Sequence, residues 1–558
     1  MRGYLSIVLH AHLPFVRHPE HEQFLEEDWF YEAISETYLP LLAVFHRLAR
    51  DRVPFRLTLT LSPTLISMLR DELLMTRYAA RLDQTCELAE KEVLRTVKDA
   101  TFHPVAQFYR DHFATLRRAF HEDYRRDLVG AFASLGQAGY LEIITCSATH
   151  AFLPLLRDQP QSVRAQVAVG VGHYLRTFGR RPTGIWLPEC GYFPGLEQTL
   201  AEEGIRFFFV DAHGLMHGNP QPVYGVYAPV YTEAGVAAFG RDPESSQQVW
   251  SAELGYPSDP EYREFYRDIG WDLEYSYVRP YIQTTGERKN TGLKYFRITG
   301  PTDRKEPYQP ARAKRKAMAH ASDFVATRKR QLEALSQKME NRPPIATAPY
   351  DAELFGHWWF EGPDFLEAVL RQSTEGSVSF VTPPEFLREN PEQQISTPAM
   401  SSWGEEGYAG TWLDESNDWI YRHLHRCGEQ MVALAEAFPT PTALERRALN
   451  QTAREVLLAQ SSDWAFIMKT GTMVDYANRR IQRHLSAFQA LRKGLLSHAI
   501  DEKLLERLES SNNIFPALDY RVYLVGLKAR FAESVAPRYL EQQQVEIGER
   551  EDLTDENR

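Results

Sequence analysis

Gly-Ile-Trp-Leu-Pro-Glu-Cys-Gly-Tyr at 184–192 and Ala-Pro-Tyr-Asp-Ala-Glu-Leu-Phe-Gly-His-Trp-Trp at 348–359 decide how this chain is read. Each stretch opens with a short apolar run of the kind that forms a buried strand. Each then places a carboxyl, Glu189 or Asp351, just past the strand's end among aromatic rings. Two acids so placed suit chemistry on a sugar: one attacks or stabilises the anomeric carbon, the other protonates the leaving oxygen. The plainer alternative makes both acids helix caps or ion-pair partners beyond strands.

Working outward, seven apolar runs have strand character: Tyr4–Leu9, Phe55–Leu61, Leu141–Cys146, Gly184–Leu187, Ile205–Val210, Ile345–Ala348 and Val378–Val381. Polar residues follow nearly all of them, and helical patterns lie between several. Strands alternating with helices imply a mainly parallel sheet. Functional side chains at the C-terminal strand ends are the layout of a β/α barrel. The expected fold is therefore α/β, a distorted seven-stranded TIM-like barrel. Residues 1–400 are read as this catalytic unit, with a helical insertion at about 65–135 and a loop-rich region at about 213–300. Residues 401–540 read as an all-helical domain that completes the cleft, and 541–558 as a disordered tail.

Composition narrows the function classes. The 558 residues carry 63 basic and 75 acidic side chains, a formal charge of −12, which argues against a nucleic-acid partner. The 27 Tyr and 10 Trp supply flat faces with polar edges, surfaces on which a sugar ring stacks, although most of them belong in a core. Cys86, Cys146, Cys190 and Cys427 show no metal or disulfide spacing, which points to a reducing, cytoplasmic setting. No signal peptide is read at the N-terminus, and no membrane partner is expected because no window approaches a spanning length. Oligomeric state, monomer or dimer, is left open.

The first run ends in His10-Ala11-His12. Residues i and i+2 of a strand face the same way, so both imidazoles can face the barrel mouth. They bind sugar hydroxyls, tune the carboxyls, or supply two ligands of a zinc-dependent hydrolase. A buried, hydrogen-bonded histidine is the structural alternative.

Five segments in order resemble the motifs of glycoside hydrolase family 57. They are His-Ala-His-Leu-Pro (10–14), Ile-Thr-Cys-Ser-Ala-Thr-His (144–150), Trp-Leu-Pro-Glu-Cys-Gly-Tyr (186–192), Tyr-Asp-Ala-Glu-Leu-Phe-Gly-His-Trp-Trp (350–359) and Ser-Ser-Trp-Gly (401–404). The flavour is that of the family's 1,4-α-glucan branching enzymes. The resemblance implies a (β/α)7 barrel and a retaining mechanism with no metal and no cofactor. It places Glu189 as nucleophile and Asp351 as general acid/base, with the carboxyls about 5–5.5 Å apart. It implies an α-glucan as substrate, with His10, His12, His150, Arg241, Trp250, Trp403, Trp412 and Asp463 as substrate-binding residues. Trp403 and Trp412 are the main candidates for aromatic walls, and Asp463 for an acid reaching over the cleft. Tyr224, Tyr227 and Tyr231 are candidates for a cleft-closing loop. A 4-α-glucanotransferase and an α-amylase are the alternatives within the family.

Overall fold

A computed structural model describes residues 3–251, 255–282, 286–340, 342–372 and 378–524. The described residues form ten strands in chain order: β1 (Tyr4–Ala11), β2 (Leu57–Leu61), β3 (Leu141–Cys146), β4 (Gly184–Trp186), β5 (Phe207–Val210), β6 (Val230–Tyr231), β7 (Ala237–Gly240), β8 (Ile345–Asp351), β9 (Ser379–Phe380) and β10 (Gln394–Ile395). Neighbours run β7-β5-β4-β3-β2-β1-β8, all parallel. β1 and β8 share the longest register, from Tyr4 opposite Ile345 to His10 opposite Asp351. β1, β2 and β8 are buried almost throughout, as expected of strands covered on both faces.

The ring closes at a single point. Arg241 bridges Thr347 in parallel, and Asp242 N–H donates to the Thr347 carbonyl at 2.8 Å. The result is a distorted (β/α)7 barrel whose last seam is one bridge wide.

Six of the seven expected runs are barrel strands. The seventh, Val378–Val381, contributes only the two-residue β9, which pairs with the start of β1. The true seventh barrel strand is Ala-Ala-Phe-Gly at 237–240, inside the region read as loop-rich. That region also holds the helices Ala212–Met216, Pro243–Trp250, Ile269–Asp272 and Tyr275–Val278.

Between β2 and β3 there are only helices, with Glu72–Arg95 packed on His103–Arg118. Their starts are set locally: Ser62 accepts from Leu65 N–H ahead of Pro63, and Asp71 accepts from Leu74 N–H. Two glycines allow close approaches. A Cβ on Gly170 would lie 2.2 Å from the Cys146 carbonyl oxygen, so only glycine lets helix Pro160–Phe178 sit on β3. Gly356, at φ +118°, would put a Cβ 1.7 Å from the Glu36 carbonyl oxygen, just beyond the Asp351 strand.

The C-terminal region packs the helices Tyr421–Ala437, Ala443–Ala459, Ser462–Thr470, Val474–Leu496 and Glu502–Ser511. The third of these goes unseen in the sequence pattern. It is the one that touches the barrel mouth: Ser462 N–H donates to the His150 carbonyl at 2.9 Å, and Ser461 bridges Ala151. The expected 541–558 tail lies outside the described residues. Among the described residues no helix is long and apolar enough to cross a membrane, and all four cysteines are free.

Candidate active site

The strand ends converge at one mouth. His10 stands opposite Asp351 in the β1–β8 register. Its Nε2 lies 2.9 Å from His150 Nε2, and His150 Nδ1 lies 3.8 Å from a Glu189 oxygen. Glu189 follows β4 and Asp351 ends β8: backbone register sets Asp351 beside His10, and side-chain contacts lead from His10 through His150 to Glu189.

Glu189 sits in unusual backbone. Its φ is +62°, and Cys190 and His150 are also left-handed, at +51° and +57°. Such a conformation costs a non-glycine residue on the order of 1–3 kcal/mol and persists only where the surroundings fix it. Trp403 does much of the fixing. Its N–H donates to the Glu189 carbonyl at 2.8 Å, and its indole Nε1–H donates to the Glu189 carboxylate at 2.7 Å. Ser462 Oγ donates to the other carboxylate oxygen at 3.2 Å and also meets His150 Nδ1 at 2.8 Å.

Asp351 has no such company. Among the described residues no hydrogen-bond donor reaches its carboxyl. Burial raises its pKa to about 8, the neighbouring Glu353 adds to the rise, and Arg241 opposes it. Glu189 is also pushed up to about 8, by burial first and then by Asp351 and Asp463, against the Trp403 hydrogen bond. Where two buried acids repel each other, charge settles on the one with donors, each worth about 1.5–3 kcal/mol to a charged acceptor. Both acids are raised alike, and the donors on Glu189, absent from Asp351 among the described residues, favour the charge on Glu189.

The histidines form a stack around the two acids. His12 and His150 rings lie 3.7 Å apart, and His10 stacks on Trp186 at 4.8 Å. Burial drives both His10 and His150 well below the ordinary histidine range, so both are neutral at neutral pH. His12 Nδ1 meets Ser62 Oγ at 2.9 Å, and its Nε2 meets both Asp463 oxygens at 3.2 Å. Burial opposes ionisation of Asp463, yet His12 holds its pKa below the usual value. Asp463 is a residue of the first helical turn that reaches across to β1 rather than a helix cap. Two groups, His10–Cys146–His150 and His12–His150–Asp463, have ligand atoms within 4.8 Å of one another.

Arg241 reaches Asp211 at 3.2 Å and Ser246 at 2.6 Å, and its guanidinium lies 5.4 Å from the Trp403 ring centre. Trp250 is 42% exposed and stacks on Trp403 at 6.1 Å, so it offers a face to the cleft. Trp412 does not. It is 2% exposed, stacked on Phe152 at 4.9 Å and packed behind Gly404. It supports the loop from behind and forms no wall for a sugar. The tyrosine candidates are also misplaced. Tyr231 pairs with the start of β7, the Tyr227 carbonyl accepts from Ile345 at the start of β8, and Arg342, just ahead of β8, lies 5.9 Å from the centre of the Tyr224 ring, so all three sit at the base of the barrel. An exposed tyrosine does lie at the mouth: Tyr408, 5.0 Å from His213 in the loop after Trp403.

Ser462 and Glu353 are functional neighbours that sequence reasoning missed. Glu353 accepts from His12 N–H at 3.2 Å and is raised by burial to about 7. Its signal was its spacing, two residues past Asp351 in an aromatic run. Ser462 had none beyond standing beside Asp463.

A closed parallel barrel with two buried acids at its mouth, one held by donors and the other bare, defines a carbohydrate-active hydrolase or transferase. Residues 6–400 match the model of glycosyl hydrolase family 57, and 423–523 that of the C-terminal domain of 1,4-α-glucan branching enzymes. The chain belongs to glycosyl hydrolase family 57. A 1,4-α-glucan branching enzyme of Thermococcus kodakarensis is 34% identical over 96% of this chain and 81% of its own. The α-amylase AmyC of Thermotoga maritima is 46% identical, with a TM-score of 0.88 over 94% of this chain and 99% of its own. A family 57-type branching enzyme of Pyrococcus horikoshii is 32% identical, with a TM-score of 0.85 over 95% and 98%.

Proposed function

We propose that this chain is a 1,4-α-glucan branching enzyme that works by double displacement with retention. The observation that carries the roles is the asymmetry of donors: two on Glu189, none on Asp351. Glu189 attacks the anomeric carbon of an α-1,4 linkage. The glycosidic bond breaks, and Asp351 gives its proton to the departing oxygen. The glycosyl ester on Glu189 is then attacked by the 6-hydroxyl of a second glucan segment. Asp351 takes that hydroxyl's proton, and two inversions leave an α-1,6 branch. The neutral histidines His10 and His150 crowd the mouth without adding positive charge beside Glu189. His12 and Asp463 present polar edges where a glucose hydroxyl would bind, and the exposed Trp250 provides aromatic surface; Trp403, buried among Trp186, Trp250 and Arg241, holds Glu189 and is not the open wall expected of it. The names of the Thermococcus and Pyrococcus relatives and the C-terminal domain model support transfer over hydrolysis.

Incubation with amylose, enzymatic debranching and sizing of the chains tests this. New chains released only after debranching are expected. Reducing ends that rise without any debranching-sensitive linkage would make the enzyme an amylase. That second reading has its own support in the AmyC likeness. Dialysis against a chelator should leave turnover unchanged. Loss restored by zinc would move the chemistry to the His12–His150–Asp463 group.

A further inference from the structure

A second cavity, of about 530 Å³, lies between the loop that follows β1 and the C-terminal helices. Its walls include Arg17, Arg479, Arg480 and Arg483, against Glu20 and Glu455. Arg17 is already paired with Asp71 at 2.8 Å, which leaves Arg479, Arg480 and Arg483 against Glu20 and Glu455, a surplus of one positive charge in a chain of net charge −12.

The acids do not neutralise its centre. Glu455 is fully buried and already engaged by His484 Nδ1 at 2.7 Å, Gln451 at 2.7 Å and Asn512 at 2.8 Å. Glu20 faces Arg483 at 3.6 Å on the exposed rim. Arg480 is 4% exposed, and among the described residues no carboxylate lies within ion-pair distance of it. Its contacts are Tyr476 OH at 3.0 Å, the ring nitrogens of His18 and His484 at 3.3 Å each, and the faces of Trp464 and Tyr476. Burial and then Arg480 push His18 down to about 2, so that ring contributes no charge of its own. The buried Glu26 feels the charges of Arg479 and Arg480 without pairing directly with Arg480, and its own carboxyl is held toward the neutral form by burial. A buried guanidinium with no direct carboxylate partner is costly, and its remaining N–H donors, with those of the rim arginines, suit a phosphate group.

We propose that this cavity binds a phosphate-bearing small molecule, with Arg480 at its floor and Arg479 and Arg483 at its rim. The volume falls in the range of ligand sites, about 300–1,000 Å³, and exceeds what a lone phosphate fills, so a phosphorylated sugar is the class it fits. The site is wired to the cleft. Arg480 lies 5.3 Å from the ring centre of Trp464, the residue after Asp463, and His18 follows His12 on the same loop. An occupant would brace the Asp463–His12 contact that joins the helical domain to β1.

Titration calorimetry on the full chain, at constant ionic strength, tests this with inorganic phosphate, glucose 6-phosphate and glucose. Both anions should bind. Equal affinity would mean that phosphate alone is read, and tighter binding of the sugar phosphate that the sugar is gripped as well. Arg479 and Arg483 are exposed, so the double variant Arg479→Gln/Arg483→Gln should fold and keep basal activity. It should weaken anion binding by about ten-fold, roughly 1.4 kcal/mol. Arg480→Lys should weaken it further, while Glu189→Gln, in the cleft, should leave it unchanged. Absence of binding by either anion, or equal binding by wild type and the rim variant, would overturn the proposal. Binding lost in Glu189→Gln would place the anion in the cleft and overturn it too.

Discussion

The ends of β4 and β8 present the same chemical group in opposite ways. After β4 the chain turns through left-handed backbone, and Glu189 is gripped by a backbone bond, an indole and a hydroxyl. At the end of β8, Asp351 is still a regular strand residue, shaped only by burial and by the charges of Glu353 and Arg241. One acid is positioned by contacts, the other tuned by field. On the roles proposed above, the lesson is that a nucleophile needs fixed geometry, whereas a proton carrier needs a suitable affinity for its proton and room to reach two oxygens in turn.

The strongest way to break this contrast is Glu189→Gln. It should lower kcat by about 10⁴-fold or more, with the melting temperature within a few degrees of wild type. Activity near the wild-type level would remove Glu189 from the chemistry. A milder cut is Trp403→Phe, which keeps a ring and deletes the indole donor. Losing one hydrogen bond to a charged acceptor should cost kcat roughly 10–100-fold and move the acidic limb of the pH profile upward. An unmoved limb would mean that the indole does not stabilise the carboxylate. Trp412→Ala should separate support from contact. It should destabilise the fold by about 3–5 kcal/mol in denaturant titration, whereas Trp250→Ala should raise KM and leave stability nearly unchanged.

The finest test concerns Asp351's proton. As the proposed general acid, Asp351 has to be protonated for the first step, so activity should fall as pH rises through its raised pKa. Glu353→Gln removes a negative neighbour, lowers that pKa and should shift the basic limb to lower pH. Arg241→Gln removes a positive neighbour and should shift it the other way. Limbs that move together, or not at all, would deny that Asp351 is tuned by these two charges.

Much of this was legible in the sequence because strand ends advertise themselves. Long runs such as Tyr-Leu-Ser-Ile-Val-Leu and Leu-Glu-Ile-Ile-Thr-Cys announce buried parallel strands, and the polar residue that follows announces the mouth. Ala-Ala-Phe-Gly at 237–240 was missed because it is short, lacks β-branched residues and lies in a Gly- and Pro-rich stretch. Its strand character comes from pairing with β5, a tertiary fact. Trp412 was misread because a tryptophan beside a loop looks the same in sequence whether it faces solvent or Phe152. Ser462 was invisible because its partners, His150 and Glu189, lie about three hundred residues away.

The one-bridge closure between β7 and β8 has a mechanical meaning. The clasp is Arg241, and the same residue lends its positive field to Asp351. Springing the clasp would loosen the barrel and strip the acid of its counterweight in one motion. A variant that weakens the Arg241–Thr347 joint should therefore fail in catalysis at temperatures where the rest of the shell is still intact. The wear point of this enzyme is its reactive edge.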